Sequence, residues 1–153
     1  MFDAQRYFEN SMRLLGSCES YAEIIGEGVQ VEKDWHSWEV ILWRITITFP
    51  SGEVLEVLEA HEKKTEKRTT KHYRKAKYHF MDPDHKCIFR VDSHKTSIPF
   101  DKPCHLHIGE HETVIEDGDS RLRGESLIGI GFPTIFSWVD QYLDGKLLIW
   151  QQP

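Results

Sequence analysis

Between Trp38 and Phe49 the chain alternates in character for twelve residues, and this pattern restricts its folding more than any other. The stretch is rich in β-branched and aromatic residues, and a strand sends successive side chains to opposite faces. Ile41, Trp43, Ile45, Ile47 and Phe49 share one face, which is expected to be the core face. Val40, Leu42, Arg44, Thr46 and Thr48 share the other. Pro50-Ser51-Gly52 reads as a turn. Glu53 to Glu62 returns as a strand, with Val54, Glu56 and Leu58 alternating against Leu55, Val57 and Glu59.

Further segments extend the pattern. Ala22 to Val31 reads as a strand bulged at Gly26 and Gly28. Thr70 to Met81 and Cys87 to Asp92 pair across an Asp82-Pro83-Asp84 turn. A loop with Pro99 and Pro103 leads to a short strand, Cys104 to Ile108, ended by Gly109. Asp3 to Leu15 has helical spacing, with Asp3 as N-cap and Gly16 as stop. Thr134 to Leu143, behind Pro133 and before Gly145, is the second helix, burying Ile135, Phe136, Val139 and Leu143. Glu110 to Arg123 is polar and expected to loop out. Lys146 to Trp150 is an apolar tail, read as an edge strand or the contact of a homodimer. The order implies a single α+β domain over 1–153, an antiparallel meander of about five strands with an N-terminal and a C-terminal helix packed on it.

Composition narrows the setting. Of 153 residues, 39% are hydrophobic, enough for a core and against disorder. No apolar run is long enough to span a membrane, and the charged N-terminus lacks a signal-peptide pattern, so a cytoplasmic protein is expected. Cys18, Cys87 and Cys104 are too widely spaced for a disulfide framework or zinc ribbon. Net charge is −6, which argues against a wholly basic nucleic-acid coat. Yet Lys63, Lys64, Lys67, Arg68, Lys71, Arg74, Lys75 and Lys77 lie within fifteen positions. Such a patch can act locally, because charges are screened over about 8 Å in physiological salt. A solvated hairpin that aids solubility is the plainer reading.

The chemistry-bearing residues lie on the later strands. His105 and His107 are two apart in a strand, so both imidazoles point one way and Cys104, Leu106 and Ile108 the other. On the preceding strand Lys71, Tyr73, Lys75, Lys77 and His79 share a face. Arg90 and Asp92 share one as well, and a structural pair is an equal reading for those two. Together His79, His105 and His107 beside Arg90 and Lys77 suit metal-independent RNA cleavage. A neutral imidazole takes the 2′-hydroxyl proton, and a protonated one gives its proton to the leaving 5′-oxygen. Cations stabilise the phosphorane, Asp92 orients an imidazole, and Lys71, Tyr73, Lys75 and Lys77 hold the substrate backbone. Histidine suits both proton roles because its ordinary pKa is about 6.5.

The run Tyr78-His79-Phe80, an Asp-Pro-Asp turn, Phe89-Arg90-Val91-Asp92, a Pro-containing loop and His105-Leu106-His107-Ile108-Gly109 resembles the TumE-like toxin family. The resemblance spans Ala22 to Leu143. Ser93 stands where that family commonly has Asn, and an insertion from Glu110 to Arg123 delays the last helix. It implies a toxin with a cognate antitoxin protein as partner and RNA as target. A second reading starts from His105-x-His107 followed by Glu112 and Gly118, which resembles the first cupin metal motif. There a divalent metal on His79, His105 and His107, with Asp92 as fourth ligand or beyond it, would serve a hydrolase or oxygenase. A third is a non-catalytic interaction domain. Trp35, His36 and Trp38 form an aromatic cluster, and Trp138 and Trp150 lie near the C-terminus. These are expected to fill the rim of the core, with exposed partner contacts the other reading. His61, His85, His94 and His111 are expected to be solvated.

Overall fold

The computed structural model describes residues 4–18, 23–31, 40–93, 96–97 and 102–153. The alternating segment forms strand β2 (Val40–Thr48), with Ile45, Ile47 and Phe49 buried as the parity requires. It lies between β1 (Glu23–Val31) and β3 (Val54–Glu66), and β3 pairs with β4 (Thr69–Met81). β5 (Cys87–Asp92) completes an antiparallel meander of five longer strands. The β1 register slips between Gly26 and Gly28, as the two glycines predict. Asp82 fixes the β4–β5 turn: its side chain accepts from the backbone N–H groups of Asp84 and Lys86, each at 2.9 Å.

Three short strands enlarge the sheet. β6 (Thr96–Ser97) pairs with β4 beyond the end of β5. β7 (His105–Ile108) lies on the other edge of β5, and β8 (Thr113–Ile115) lies beside β7. The segment from Glu110 to Arg123 therefore does not simply loop out. It supplies β8 and a 3₁₀ turn at Ser120–Leu122, because Ile115 and Leu122 are buried and anchor it. β3 and β4 run further than the sequence suggests and meet in a two-residue turn. Lys67 and Arg68 both adopt positive φ there, the backbone a tight hairpin demands.

Helix α1 (Ala4–Cys18) and helix α2 (Phe132–Leu143) pack on one face of the sheet. Gly16 does not stop α1. The helix continues because Leu15 and Cys18 are both buried against the core, which outweighs the modest helix cost of a glycine. Asp3 lies outside the described residues, as do Trp35, His36, Trp38, His94 and Pro99. α2 starts at Phe132 with Pro133 in its first turn. Gly145, at φ +75°, ends it: the N–H of Gly145 donates to the carbonyl of Tyr142, and that of Lys146 to Gln141.

The apolar tail forms no edge strand, and Leu147 stays exposed. The tail turns through a 3₁₀ helix at Ile149–Gln151 and buries Leu148 and Trp150. Trp150 packs edge-on against Trp138 and Phe89, with centroids at 5.2 and 5.6 Å. Phe89 continues through Phe80 to Phe49 and Tyr142. Such aromatic pairs contribute about 0.5–1.5 kcal/mol each beyond the area they bury. None of the described helices is long and apolar enough to cross a membrane. Because both helices lie on one face, no described helix covers the other, and that is where the candidate site lies.

Candidate functional site

Strand register arranges the open face in rows. His79 stands opposite Arg90, and Arg90 opposite His107. One step along the strands, Lys77 stands opposite Asp92, and Asp92 opposite His105. Adjacent strands are about 4.8 Å apart, so the backbones carrying His79 and His107 are separated by roughly 10 Å with Arg90 between them. A hollow of about 600 Å³ opens over this face, lined by Arg44, Thr46, Glu56, Leu58, Lys77, His79, Arg90 and Asp92. Its lining stops at β5, short of His105 and His107.

His79 is half-buried, and its Nε2 is shielded from solvent with no hydrogen-bond partner among the described residues. An unpaired buried ring nitrogen costs about 1–3 kcal/mol, so a ligand that satisfied it would recover that energy. Arg90 is held on two sides. Its Nε donates to Asp92 Oδ2 at 3.1 Å and its Nη1 to Glu112 Oε1. Farther along β4, Lys71, Lys75 and Lys77 are exposed on the same face, with Tyr73 half-buried among them. His85 and His111 are exposed, as expected. Among the described residues no three His, Cys, Asp or Glu side chains gather closely enough to share a metal ion. In the strand register Arg90 stands between His79 and His107.

The opposite face holds a polar cluster that sequence reasoning missed. His61 is not solvated; it is fully buried beside Glu59. The alternation that buries Leu55 and Val57 simply continues through Glu59 and His61, and this parity was the available signal. Glu59 Oε1 accepts from the phenols of Tyr7 and Tyr78, and from the Phe132 backbone N–H at 3.3 Å. Glu59 Oε2 meets His61 Nε2 at 3.0 Å, and His61 Nδ1 meets His72 Nε2 at 2.9 Å.

One carboxylate on β3 thus ties α1 through Tyr7, β4 through Tyr78, and the first turn of α2 through Phe132. α2 has no side-chain N-cap of its own. Glu59 serves that end instead, where the helix dipole favours negative charge. Burial alone would raise the Glu59 pKa. The hydrogen bond and charge of His61, with the two phenols, outweigh burial and lower it below its ordinary value. Burial, followed by the charge of Glu59, keeps Tyr7 and Tyr78 protonated as donors. Burial, with His61, Arg74 and Lys63 nearby, pushes His72 down to about 3. The bonds from Tyr7 and from the Phe132 N–H to the one Glu59 carboxylate dock both helices on the sheet. Gly131 is part of the fit: a Cβ there would lie 2.8 Å from the Tyr7 hydroxyl and 3.2 Å from Arg74 Nη1.

No curated protein and no solved structure matches the chain. A family model does: the one described as toxin TumE matches residues 20–142. The match runs from just before β1 almost to the end of α2 and includes every open-face residue named above, while α1 lies outside it. With most of its length so matched, the chain belongs to the TumE toxin family.

Proposed function

We propose that this chain is the toxin of a toxin–antitoxin pair and a metal-independent endoribonuclease, held in check by a cognate antitoxin protein. One observation carries the reading: register places Arg90 between His79 and His107 on the face that no described helix covers. Two imidazoles straddling a cation fit a phosphodiester whose phosphate sits on the guanidinium. One imidazole removes the proton of the 2′-hydroxyl as that oxygen attacks phosphorus. The other, protonated, gives its proton to the 5′-oxygen as the P–O5′ bond breaks. The products are a 2′,3′-cyclic phosphate and a free 5′-hydroxyl. Arg90 and Lys77 offset the charge growing on the phosphorane.

Lys71, Tyr73 and Lys75 continue the same face of β4 and would carry the RNA backbone. His105, beside Asp92, would assist at the edge of the site. The test is controlled expression in bacterial cells. Wild-type protein should stop growth and deplete RNA, while His107→Ala should do neither and still accumulate as folded protein. Equal growth arrest by wild type and by His107→Ala would refute the histidine mechanism.

A further inference from the structure

We propose that Glu112 is a built-in competitor for the phosphate position at Arg90, which it occupies in the resting chain and vacates when the substrate binds. This rests on the reading of Arg90 as the phosphate-binding cation.

The guanidinium faces two carboxylates. Asp92, two residues along the same strand, holds Nε at 3.1 Å. That contact by itself orients the guanidinium fork. Glu112 reaches Nη1 from the turn between β7 and β8, so one positive charge is matched by two negative ones. The second carboxylate is not needed to neutralise Arg90, and it also sits on unfavourable backbone. Glu112 has φ +51° in a turn closed by its N–H on the carbonyl of Gly109 at 3.0 Å. The left-handed region disfavours a side chain such as glutamate. A strained residue that over-compensates a charge in an open hollow marks a contact made to be exchanged.

The exchange is chemically natural. A guanidinium fork binds carboxylate and phosphate oxygens with the same planar geometry, so a phosphate can take the place of the Glu112 carboxylate directly. The exchange also costs little. Arg90 is 31% exposed and Glu112 41%, and ion pairs that open to solvent contribute little stability. Asp92 remains in place and keeps the fork aligned. A polyanion that also reaches Lys77 and Lys75 can displace Glu112 more readily than an isolated phosphate, so the competitor favours a nucleic-acid backbone over free anions.

The test is fluorescence anisotropy with a labelled all-deoxy oligonucleotide, which has no 2′-hydroxyl and cannot be cut by the proposed route. Four chains are compared at one ionic strength: wild type, Glu112→Gln, Arg90→Gln and the double variant. Glu112→Gln should bind roughly two- to five-fold tighter than wild type, the order expected when a half-exposed competing carboxylate is removed. In the Arg90→Gln background the same change should give no gain. An unchanged or weaker Glu112→Gln, while wild type binds, overturns the competitor and leaves the Arg90 reading standing. A gain that persists without Arg90 is general charge repulsion and overturns it too. If neither wild type nor Glu112→Gln binds, the phosphate role of Arg90 falls and the competitor with it. Unchanged denaturation midpoints assign these differences to the site rather than to folding.

Discussion

Glu59→Gln should be among the most damaging single changes in the molecule that leave its shape nearly intact. The carboxylate is fully buried, bonded to His61 at 3.0 Å, and accepts from Tyr7, Tyr78 and the Phe132 N–H. Glutamine keeps the volume but removes the charge that compensates Arg74, which is 1% exposed. It also places an NH₂ group among donors. Removing one partner of a buried charge network costs about 3–5 kcal/mol, against a total stability for a domain of roughly 5–15 kcal/mol. With an m-value of roughly 2 kcal/mol/M, the urea midpoint should fall by about 2 M with little change in slope. Tyr7→Phe and Tyr78→Phe each remove one hydrogen bond to a charged group and should cost about 1.5–3 kcal/mol. Equilibrium urea unfolding followed by tryptophan fluorescence reads all three. A loss below about 1 kcal/mol for Glu59→Gln would refute the claim that this carboxylate holds the two helices to the sheet.

Other predictions follow from the same contacts. His72 takes up a proton at about 3 when folded, against an ordinary 6.5. Between those values the unfolded chain binds a proton that the folded one does not, so stability should fall as pH drops from 6.5 toward 3. His72→Gln should flatten this part of a urea-midpoint profile, and an unchanged slope would contradict it. Glu59 acts lower: its folded pKa is depressed below 4.5, so its contribution is present above that pH and is lost as pH falls further. Gly131→Ala places a methyl 2.8 Å from the Tyr7 hydroxyl and should cost about 1–3 kcal/mol in the same unfolding assay. Trp150→Ala empties the space beside Trp138 and Phe89 and should cost about 3–5 kcal/mol, which would show that the C-terminal turn is part of the core.

The sheet was legible because its residues repeat with a period of two. Parity alone puts Ile45, Ile47, Tyr78, Phe80, Phe89 and Leu106 inside, and all are buried. Parity likewise puts His79, Arg90 and His107 on the other face. The neighbour of each residue across strands was not legible, since register depends on turns and bulges. Nothing in the local pattern near Arg90 points to Glu112, which arrives from a turn 22 residues later. Glu59 and His61 were hidden differently. Charged residues at core-parity positions look like strand ends until Tyr7, far away in sequence, supplies the partner that makes burial tolerable. The C-terminal tail was not legible as a 3₁₀ turn because four apolar residues, Leu147 to Trp150, do not show whether they pair with a strand, with another chain or with their own core.

The most direct test of the proposed chemistry uses purified protein and an oligodeoxynucleotide that carries ribonucleotides at a few positions, in excess chelator. Cleavage should occur only on the 3′ side of the ribonucleotides, leaving a 2′,3′-cyclic phosphate, and should disappear in both His79→Ala and His107→Ala. Cutting at deoxynucleotides, cutting that the chelator abolishes, or undiminished cutting by either variant would contradict the account.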